Sequence, residues 1–242
     1  MSTAQSTATP SGRASDTHVS CTPEQRITKS LLGYGALAGP FYVAVSLAQT
    51  LTRDGFDLGR HPWSLLMIGD LGWVQIANFI LTGLMVVAFA IGVRRALATG
   101  PGARWAPRLI AAYGISLVVA AAFRADPTLG FPAGTPDGPG AISWHGMLHF
   151  VAGGVGFSCI AIACFLLSRR YAAEGRRGWA AFSRWTGLAF LGGFATVASG
   201  QGSTVANLVL TATVVLVWAW MAAVAVDRYH TTDHTVDHTQ DR

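Results

Sequence analysis

The chain has 242 residues, of which 51% are hydrophobic and only 12% are charged, about half the charged fraction of soluble globular domains. This shortage of charge excludes an ordinary soluble domain and indicates a surface that faces the lipid bilayer. The net charge of +5 does not indicate a nucleic-acid partner, because the basic residues lie in short clusters between apolar runs and form no basic domain.

Apolar stretches divide the chain into segments of membrane-spanning length, since about 20 apolar residues cross the hydrocarbon core as a helix. Residues 1–28 lack the apolar segment of a signal peptide, and we expect a disordered cytoplasmic tail there. We predict an all-α fold, a polytopic transmembrane helical bundle over 29–226, followed by a disordered His- and Asp-rich cytoplasmic tail over 227–242. The six predicted spans are 30–51, 72–93, 107–124, 144–168, 184–200 and 204–226.

The third, fifth and sixth spans need separate arguments. The uncharged run 109–123 has only 15 residues, which is shorter than the hydrocarbon core at about 1.5 Å per residue. We count it as a span because, without it, the basic clusters would not all fall on the same side of the membrane. The uncharged run 185–226 is long enough for two crossings, and the polar, turn-forming residues 199–203 predict a tight hairpin that divides it.

The distribution of basic residues predicts the orientation of the bundle. With six spans and both termini in the cytoplasm, 14 of the 17 lysine and arginine residues lie on the cytoplasmic side. Only Arg53, Arg60 and Arg124 lie outside. Short cytoplasmic loops carry such an excess of positive charge in membrane proteins, so this orientation is the one that the sequence favours.

Polar residues cluster at the beginning of the second span, in the segment 53–78. This segment contains His61, Ser64 and Asp70, and it continues with Gln75 and Asn78 into the span. The spacing of Gln75, Asn78 and Thr82 places them on one helix face, and amides are unfavourable in lipid, so we expect this face to look into the bundle. Two interpretations remain open: hydrogen bonding that holds the helices together, or a site for a small polar or anionic ligand.

A second set of candidates lies around the loop that follows the third span. Arg124 stands at the membrane boundary, where it either extends to the interface or pairs with Asp126 and serves a ligand. His145 and His149 are one helical turn apart, the arrangement of two ligands to a transition metal such as zinc. Asp126 is the candidate third ligand, and Asp126 or Asp70 the candidate catalytic base. The alternative is that both histidines form hydrogen bonds within the bundle.

The C-terminal tail repeats histidine every four residues, at His230, His234 and His238. On a helix these imidazoles would share one face and bind a metal. We favour a solvated polar tail, because the sequence offers no packing that would hold such a helix in shape.

Several of these segments together resemble a known family. They are Gly39-Pro40, the run from His61 to Ser64, the run from Gly72 to Gly83, Asp126-Pro127, and the segment from Trp144 to His149. They resemble the bacterial membrane proteins grouped as domain of unknown function 998, and the resemblance covers residues 30–226. It implies a multi-pass helical bundle of the inner, or plasma, membrane with no settled activity.

Three functional hypotheses follow. The first is a membrane scaffold or partner-binding protein whose extracytoplasmic polar residues organise the bundle, with no cavity among them. The second is a metal-assisted hydrolase or transferase acting on a lipid head group, in which His61, Asp70, Asp126, His145 and His149 converge. The third is a transporter or receptor for a small polar or anionic ligand held by Gln75, Asn78 and Arg124. Whether the protein is an enzyme stays open, and the sequence favours the scaffold.

Overall fold

A computed structural model describes residues 22–199 and 203–234 of the chain. Within these residues the protein contains six α-helices and one short 3₁₀ helix, so the all-α prediction is confirmed. The helices are α1 (Pro23–Thr52), α2 (Gly72–Ala96), α3 (Ala106–Ala122), α4 (Trp144–Ala173), α5 (Arg177–Ser199) and α6 (Thr204–His234), and the 3₁₀ helix is Trp63–Met67.

Four of the helices, α1, α2, α4 and α6, are long and apolar enough to cross a membrane. Helix α3 is apolar but has 17 residues, and α5 does not reach the same threshold of length and hydropathy. All six helices nevertheless expose large apolar side chains on their outer faces: Leu37, Leu84, Ile115, Val155, Leu188 and Val205. A surface of this kind suits lipid and not water.

The first helix begins earlier than the sequence indicated. Residues 23–28 were expected in a disordered tail, and they form the first turns of α1 instead. The hydroxyl of Thr22 accepts a hydrogen bond from the backbone N–H of Gln25, and the Gln25 side chain accepts one from the backbone N–H of Thr22. This capping box satisfies two backbone donors and fixes the helix start. Residues 1–21 lie outside the described part of the chain.

The last helix ends later than the sequence indicated. Residues 227–234 were expected in a disordered tail, but α6 continues through them to His234. Asp227 and Arg228 are held by ion pairs to the turn between α4 and α5, which keeps this part of the helix in place. The remainder of that tail, 235–242, and residues 200–202 of the predicted hairpin are not among the described residues.

The six helices form a closed ring. Each helix packs against the next one in chain order, and α6 returns to pack against α1. The largest buried side chains fill the inside of the ring: Phe89, Tyr171, Phe190 and Trp220. Every helix therefore turns one face to a shared interior and the other to its surroundings.

The ring has two chemically different ends. The loops 53–71 and 123–143 lie together at one end, which we call the loop end. The opposite end, which we call the arginine end, contains the start of α1 and the end of α6 and is rich in arginine.

An ion-pair cluster joins three helices at the arginine end. Arg228 lies 3.1 Å from the Glu174 carboxylate, and Arg176 and the Tyr171 hydroxyl both donate hydrogen bonds to Asp227. The hydrogen bond from Arg176 to Asp227 raises the pKa of the guanidinium, so this arginine remains charged. The cluster ties the turn between α4 and α5 to the end of α6.

Glycines bring the backbones of α2 and α3 into direct contact. A Cβ atom added at Gly83 would lie 2.6 Å from the Gly114 carbonyl oxygen, and one added at Gly114 would lie 2.7 Å from the Gly83 carbonyl oxygen. Neither position has room for a side chain. Close backbone approach at small residues is the usual way in which helices pack within lipid.

A buried hydrogen-bond network joins α1 to α2. Gln75 Oε1 accepts hydrogen bonds from Gln49 Nε2 at 2.6 Å and from Asn78 Nδ2 at 3.2 Å. Ser46 Oγ accepts from the amides of both Gln75 and Asn78, and Thr82 Oγ1 donates to Asn78 Oδ1. Gln75, Asn78 and Thr82 are 0%, 1% and 0% exposed, which confirms that their helix face looks into the bundle.

We expect Gln75→Leu to lower the free energy of unfolding by about 1–3 kcal/mol, because it removes the buried oxygen to which the amides of both Gln49 and Asn78 donate. The measurement is reversible unfolding in mixed detergent micelles followed by circular dichroism. The control is Ser158→Ala, since Ser158 is exposed and bonds only to its own helix at Gly154. Its expected change is below about 0.5 kcal/mol, and equal effects of the two substitutions would contradict a stabilising network.

Candidate functional site

His61 ties the two loops of the loop end together. Its Nδ1 accepts a hydrogen bond from the backbone N–H of Asp57 at 2.9 Å, and its Nε2 lies 2.9 Å from the Leu129 carbonyl oxygen. A carbonyl oxygen only accepts, so Nε2 carries the proton. The side chain is 2% exposed, and both ring nitrogens are occupied by backbone groups. The geometry therefore gives His61 a structural role.

Asp126 anchors the start of α4. One carboxylate oxygen accepts from the Ser143 backbone N–H at 2.7 Å, and the other accepts from the Ser143 hydroxyl at 2.6 Å. The same hydroxyl accepts from the backbone N–H of Gly146, which caps the helix. A negative charge at a helix N-terminus is favourable. Both oxygens of Asp126 are thus engaged in closing the loop 123–143 onto α4.

Three other candidates lie on the surface of the loop end. Asp70 is exposed and close enough to Arg53 to oppose the lowering of the Arg53 pKa that burial causes. Arg124 is exposed and has no hydrogen bond or ion pair within 22–199 and 203–234. His145 is exposed too, and its ring lies 3.6 Å from that of Trp144.

The residues proposed as a metal site are not gathered into one cluster. In the described ranges, no group of three or more His, Cys, Asp or Glu side chains lies in a position to hold a metal ion. In the tail, His230 lies on α6 beside Tyr229, while the side chain of His234 and the whole of His238 lie outside the described part. The convergence that the metal-enzyme hypothesis requires is therefore absent from the part of the chain that the structure describes.

A cavity of about 160 Å³ lies inside the ring, in the half towards the loop end, and we call it the central cavity. All six helices and the 3₁₀ helix contribute to its wall. Seven of the 18 residues in the wall carry aromatic rings: Tyr42, Trp63, Phe79, Tyr113, Phe150, Phe157 and Phe194. Gln75 and Asn78 are not part of the wall, since their amides are bonded within the network between α1 and α2.

His149 is the titratable imidazole in the wall of the central cavity. Its Nδ1 lies 2.8 Å from the Phe123 carbonyl oxygen and 3.0 Å from that of Ala120. These carbonyls stand at the end of α3, where backbone acceptors lack helical partners. Nδ1 must therefore donate, and in the neutral ring Nε2 is left as an acceptor. Nε2 has no partner among the residues of the described ranges.

Two further groups in the wall retain hydrogen-bonding capacity. The Trp63 Nε1–H is buried, and the described residues provide it with no acceptor. The hydroxyl of Ser64 has no hydrogen-bond partner in the same part of the chain. The hydroxyls of Ser116 and Thr211, by contrast, donate to carbonyl oxygens of their own helices. The cavity thus combines an aromatic wall with an acceptor at His149, while the Trp63 ring lies in the wall with its Nε1–H buried.

The sequence pointed to Ser64 and His149, but it did not indicate the cavity that they share. The aromatic wall, which includes Trp63, was not foreseen. The available signal was weak, because Tyr42, Tyr113 and Phe194 are separated by tens of residues and stand on different helices. Only closure of the ring brings them together.

Comparison with known proteins gives a family and no close relative of known activity. The family model described as "Protein of unknown function (DUF998)" matches residues 36–227. No curated protein and no solved structure matches the chain. The matched region runs from the middle of α1 to residue 227 of α6 and includes the whole wall of the central cavity. The chain therefore belongs to the DUF998 family of proteins of unknown function.

Proposed function

We propose that this protein is a six-span membrane protein that binds a small amphipathic molecule, with an apolar body and a hydroxyl head group, in the central cavity. The observation that carries the proposal is the pairing of the aromatic wall with the His149 imidazole, whose Nε2 has no partner among the described residues. A ligand hydroxyl can donate a hydrogen bond to this nitrogen. Apolar pockets with a few polar groups are typical of ligand sites.

The cavity volume limits what the ligand can be. An apolar cavity of about 150 Å³ holds a molecule of the size of benzene. The central cavity, at about 160 Å³, therefore suits a short alcohol or the hydroxyl-bearing end of a longer lipid. A charged ligand is disfavoured, because no lysine, arginine or acidic side chain lies in the wall.

This proposal differs from the scaffold hypothesis that the sequence favoured. A scaffold needs the polar residues to hold the bundle together, and Gln75, Asn78, His61 and Asp126 fit that description. It does not need a cavity with unsatisfied polar groups in its wall, because such groups reduce stability. We therefore place ligand binding, as a receptor or carrier, ahead of a purely structural role. The metal-dependent hypothesis is set aside because residues 22–199 and 203–234 contain no suitable group of ligands.

Six crossings and cytoplasmic termini are part of the same proposal. Helices α3 and α5 each pack between two neighbours in the ring, which supports their running through the membrane beside the four long helices. The loops at the arginine end contain most of the basic residues, and the positive-inside tendency then places this end in the cytoplasm. The plasma membrane of a bacterial cell is the location that we propose.

Cysteine labelling tests this orientation. In a background with alanine at Cys21, Cys159 and Cys164, we expect Gly138→Cys to react with a membrane-impermeant maleimide in intact cells. We expect Gly178→Cys, at the arginine end, to react only after permeabilisation. Both glycines have no atom within 4 Å of an added Cβ, so the fold accepts either change. The reverse labelling pattern would overturn the proposed orientation.

Filling the cavity tests ligand binding. Gly153 lines the cavity, and an added Cβ there meets no atom within 4 Å, so we expect Gly153→Leu to fold and to occupy the cavity. Photolabelling by azioctanol, a photoreactive alcohol, should fall at least about tenfold, because a ligand that can no longer bury two of its methylene groups loses about 1.6 kcal/mol of binding free energy. The labelled peptides are mapped by mass spectrometry.

The matched control for this test is Gly192→Leu. Gly192 is an exposed helical glycine with equal room for a side chain, but it is not part of the cavity wall. We expect its labelling to equal that of the unmodified chain. Equal labelling of the cavity peptides in Gly153→Leu and Gly192→Leu would exclude the central cavity as the binding site.

A competition experiment tests the role of His149. It measures how well octanol and octyl methyl ether each reduce photolabelling by azioctanol. The ether cannot donate a hydrogen bond, so the unmodified protein should prefer the alcohol by roughly fivefold, the value of one net hydrogen bond. We expect His149→Leu to lose this preference while still binding both compounds. A merely structural role for His149 predicts instead that the preference for the alcohol survives the substitution.

A further inference from the structure

The wall of the central cavity is buried on one side of the ring and reaches the outer surface on the other. The wall residues of α1, α2 and α3 are at most 8% exposed: Tyr42, Phe79, Tyr113, Ser116, Leu117 and Ala120. On α4, by contrast, Phe150 lines the cavity and is also 49% exposed, and Gly153 beside it is half-buried. The cavity therefore comes close to the outer surface at the loop-end half of α4.

Helices α4 and α5 separate towards the loop end. Near the middle of the bundle their backbones are close, since a Cβ atom added at Gly187 would lie 3.1 Å from the Ala161 carbonyl oxygen. At Gly154 an added Cβ would meet nothing closer than the tip of the Phe194 ring, at 3.5 Å. Nearer the loop end, the centres of the Phe150 and Phe194 rings are 5.6 Å apart. At the level of the cavity, side chains and not backbone atoms close the space between the helices, which we call the α4–α5 gap.

Gly153 leaves a path from His149 to the α4–α5 gap. At about 100° per residue, Gly153 lies between His149 and Phe150 around the axis of α4. His149 faces α3, because its ring bonds to carbonyl oxygens at the end of that helix, whereas Phe150 packs on Phe194 of α5. A Cβ added at Gly153 would meet no atom within 4 Å. An alkyl chain attached to a hydroxyl at His149 can therefore cross over Gly153 towards α5.

The volume of the cavity separates short ligands from long ones. At about 160 Å³ the cavity encloses a molecule of the size of benzene, so a much longer chain has to leave it. Outside the α4–α5 gap the helices expose apolar side chains, among them Val151 and Val155 of α4 and Leu188 of α5. These face lipid in a membrane-spanning bundle. A chain that passes through the gap thus stays in apolar surroundings along its whole length.

We propose that the ligand of the central cavity is a long-chain lipid alcohol with a single chain. Its hydroxyl donates to His149 Nε2, its first carbons cross the cavity over Gly153, and the rest of its chain passes through the α4–α5 gap into the bilayer. This inference rests on the ligand binding proposed above and adds the class of ligand. A short alcohol would make no use of the gap, so the gap favours the long chain.

Competition between alcohols of two lengths tests this inference. The full chain in lipid nanodiscs is photolabelled by azioctanol, and 1-octanol or 1-hexadecanol is added at equal mole fraction in the membrane. We expect the two to compete within about threefold of each other, because the extra methylene groups of hexadecanol lie in lipid before and after binding. A chain confined to the cavity would instead make hexadecanol weaker by more than about tenfold, since those groups would find no room.

A substitution in the α4–α5 gap separates the two alcohols. Gly154 is not part of the cavity wall, and it shares a helix face with Phe150 beside the Phe194 ring. We expect Gly154→Leu to fill the gap, to weaken hexadecanol by about tenfold or more and to leave octanol within about twofold. The matched control is Gly192→Leu, on the opposite face of α5 from Phe194, which should leave competition by both alcohols unchanged.

The outcomes distinguish this inference from the proposed function. Absence of competition by octanol in the unmodified chain would overturn both. If octanol competes and hexadecanol is weaker by about tenfold or more, the proposed function stands and the passage of the chain through the gap is overturned. Equal effects of Gly154→Leu on the two alcohols, or equal effects of Gly154→Leu and Gly192→Leu, would overturn that passage too. Circular dichroism verifies folding, and the unmodified chain decides the question if Gly154→Leu does not fold.

Discussion

Contact between α1 and α6 closes the ring of helices, and the interior of the protein depends on that closure. Without it the chain would be a row of helices, each packed on its neighbours in sequence, with no enclosed volume. Closure brings Tyr42 of α1 and Trp218 of α6 to a ring separation of 5.2 Å. The close packing of Gly39 against Trp218 permits this approach, because a side chain at Gly39 would collide with the tryptophan. The central cavity is a consequence of how the ring closes.

The two ends of the ring are secured by different chemistry. At the loop end, His61 and Asp126 bond mainly to backbone groups, so they fix the path of the loops over the ring. At the arginine end, Glu174 and Asp227 bind arginines and hold helix termini together. These ion pairs lie at the boundary, where Arg176 and Glu174 are partly exposed, whereas the interior uses amides and hydroxyls. Accordingly, the network of Gln75 and Asn78, which contains no charged group, lies inside the ring.

The sequence predicted the helical class and the inward face of Gln75 and Asn78, because hydropathy and helical spacing are local properties. It misjudged both helix ends, since span lengths follow apolar runs and a polar first turn such as that after Thr22 leaves no mark in hydropathy. The sequence also could not assign structural roles to His61 and Asp126. Their partners are 68 and 17 residues away, and the partners of His61 are backbone groups that any sequence would supply. The cavity was unpredictable for the same reason, because its wall takes residues from every helix.

The contact between Gly83 and Gly114 makes one side of the ring more tightly packed than the other. The backbones of α2 and α3 touch at these two glycines, and the amide network joins α1 to the same pair of helices. On the opposite side, Gly153 and Gly192 meet nothing within 4 Å of an added Cβ, and the loop-end halves of α4 and α5 carry mostly exposed or half-buried residues. We therefore expect local fluctuation of the cavity wall to be greatest in the loop-end halves of α4 and α5. For the ligand binding proposed above, we expect entry into the cavity to be lateral, from the lipid, through this part of the wall.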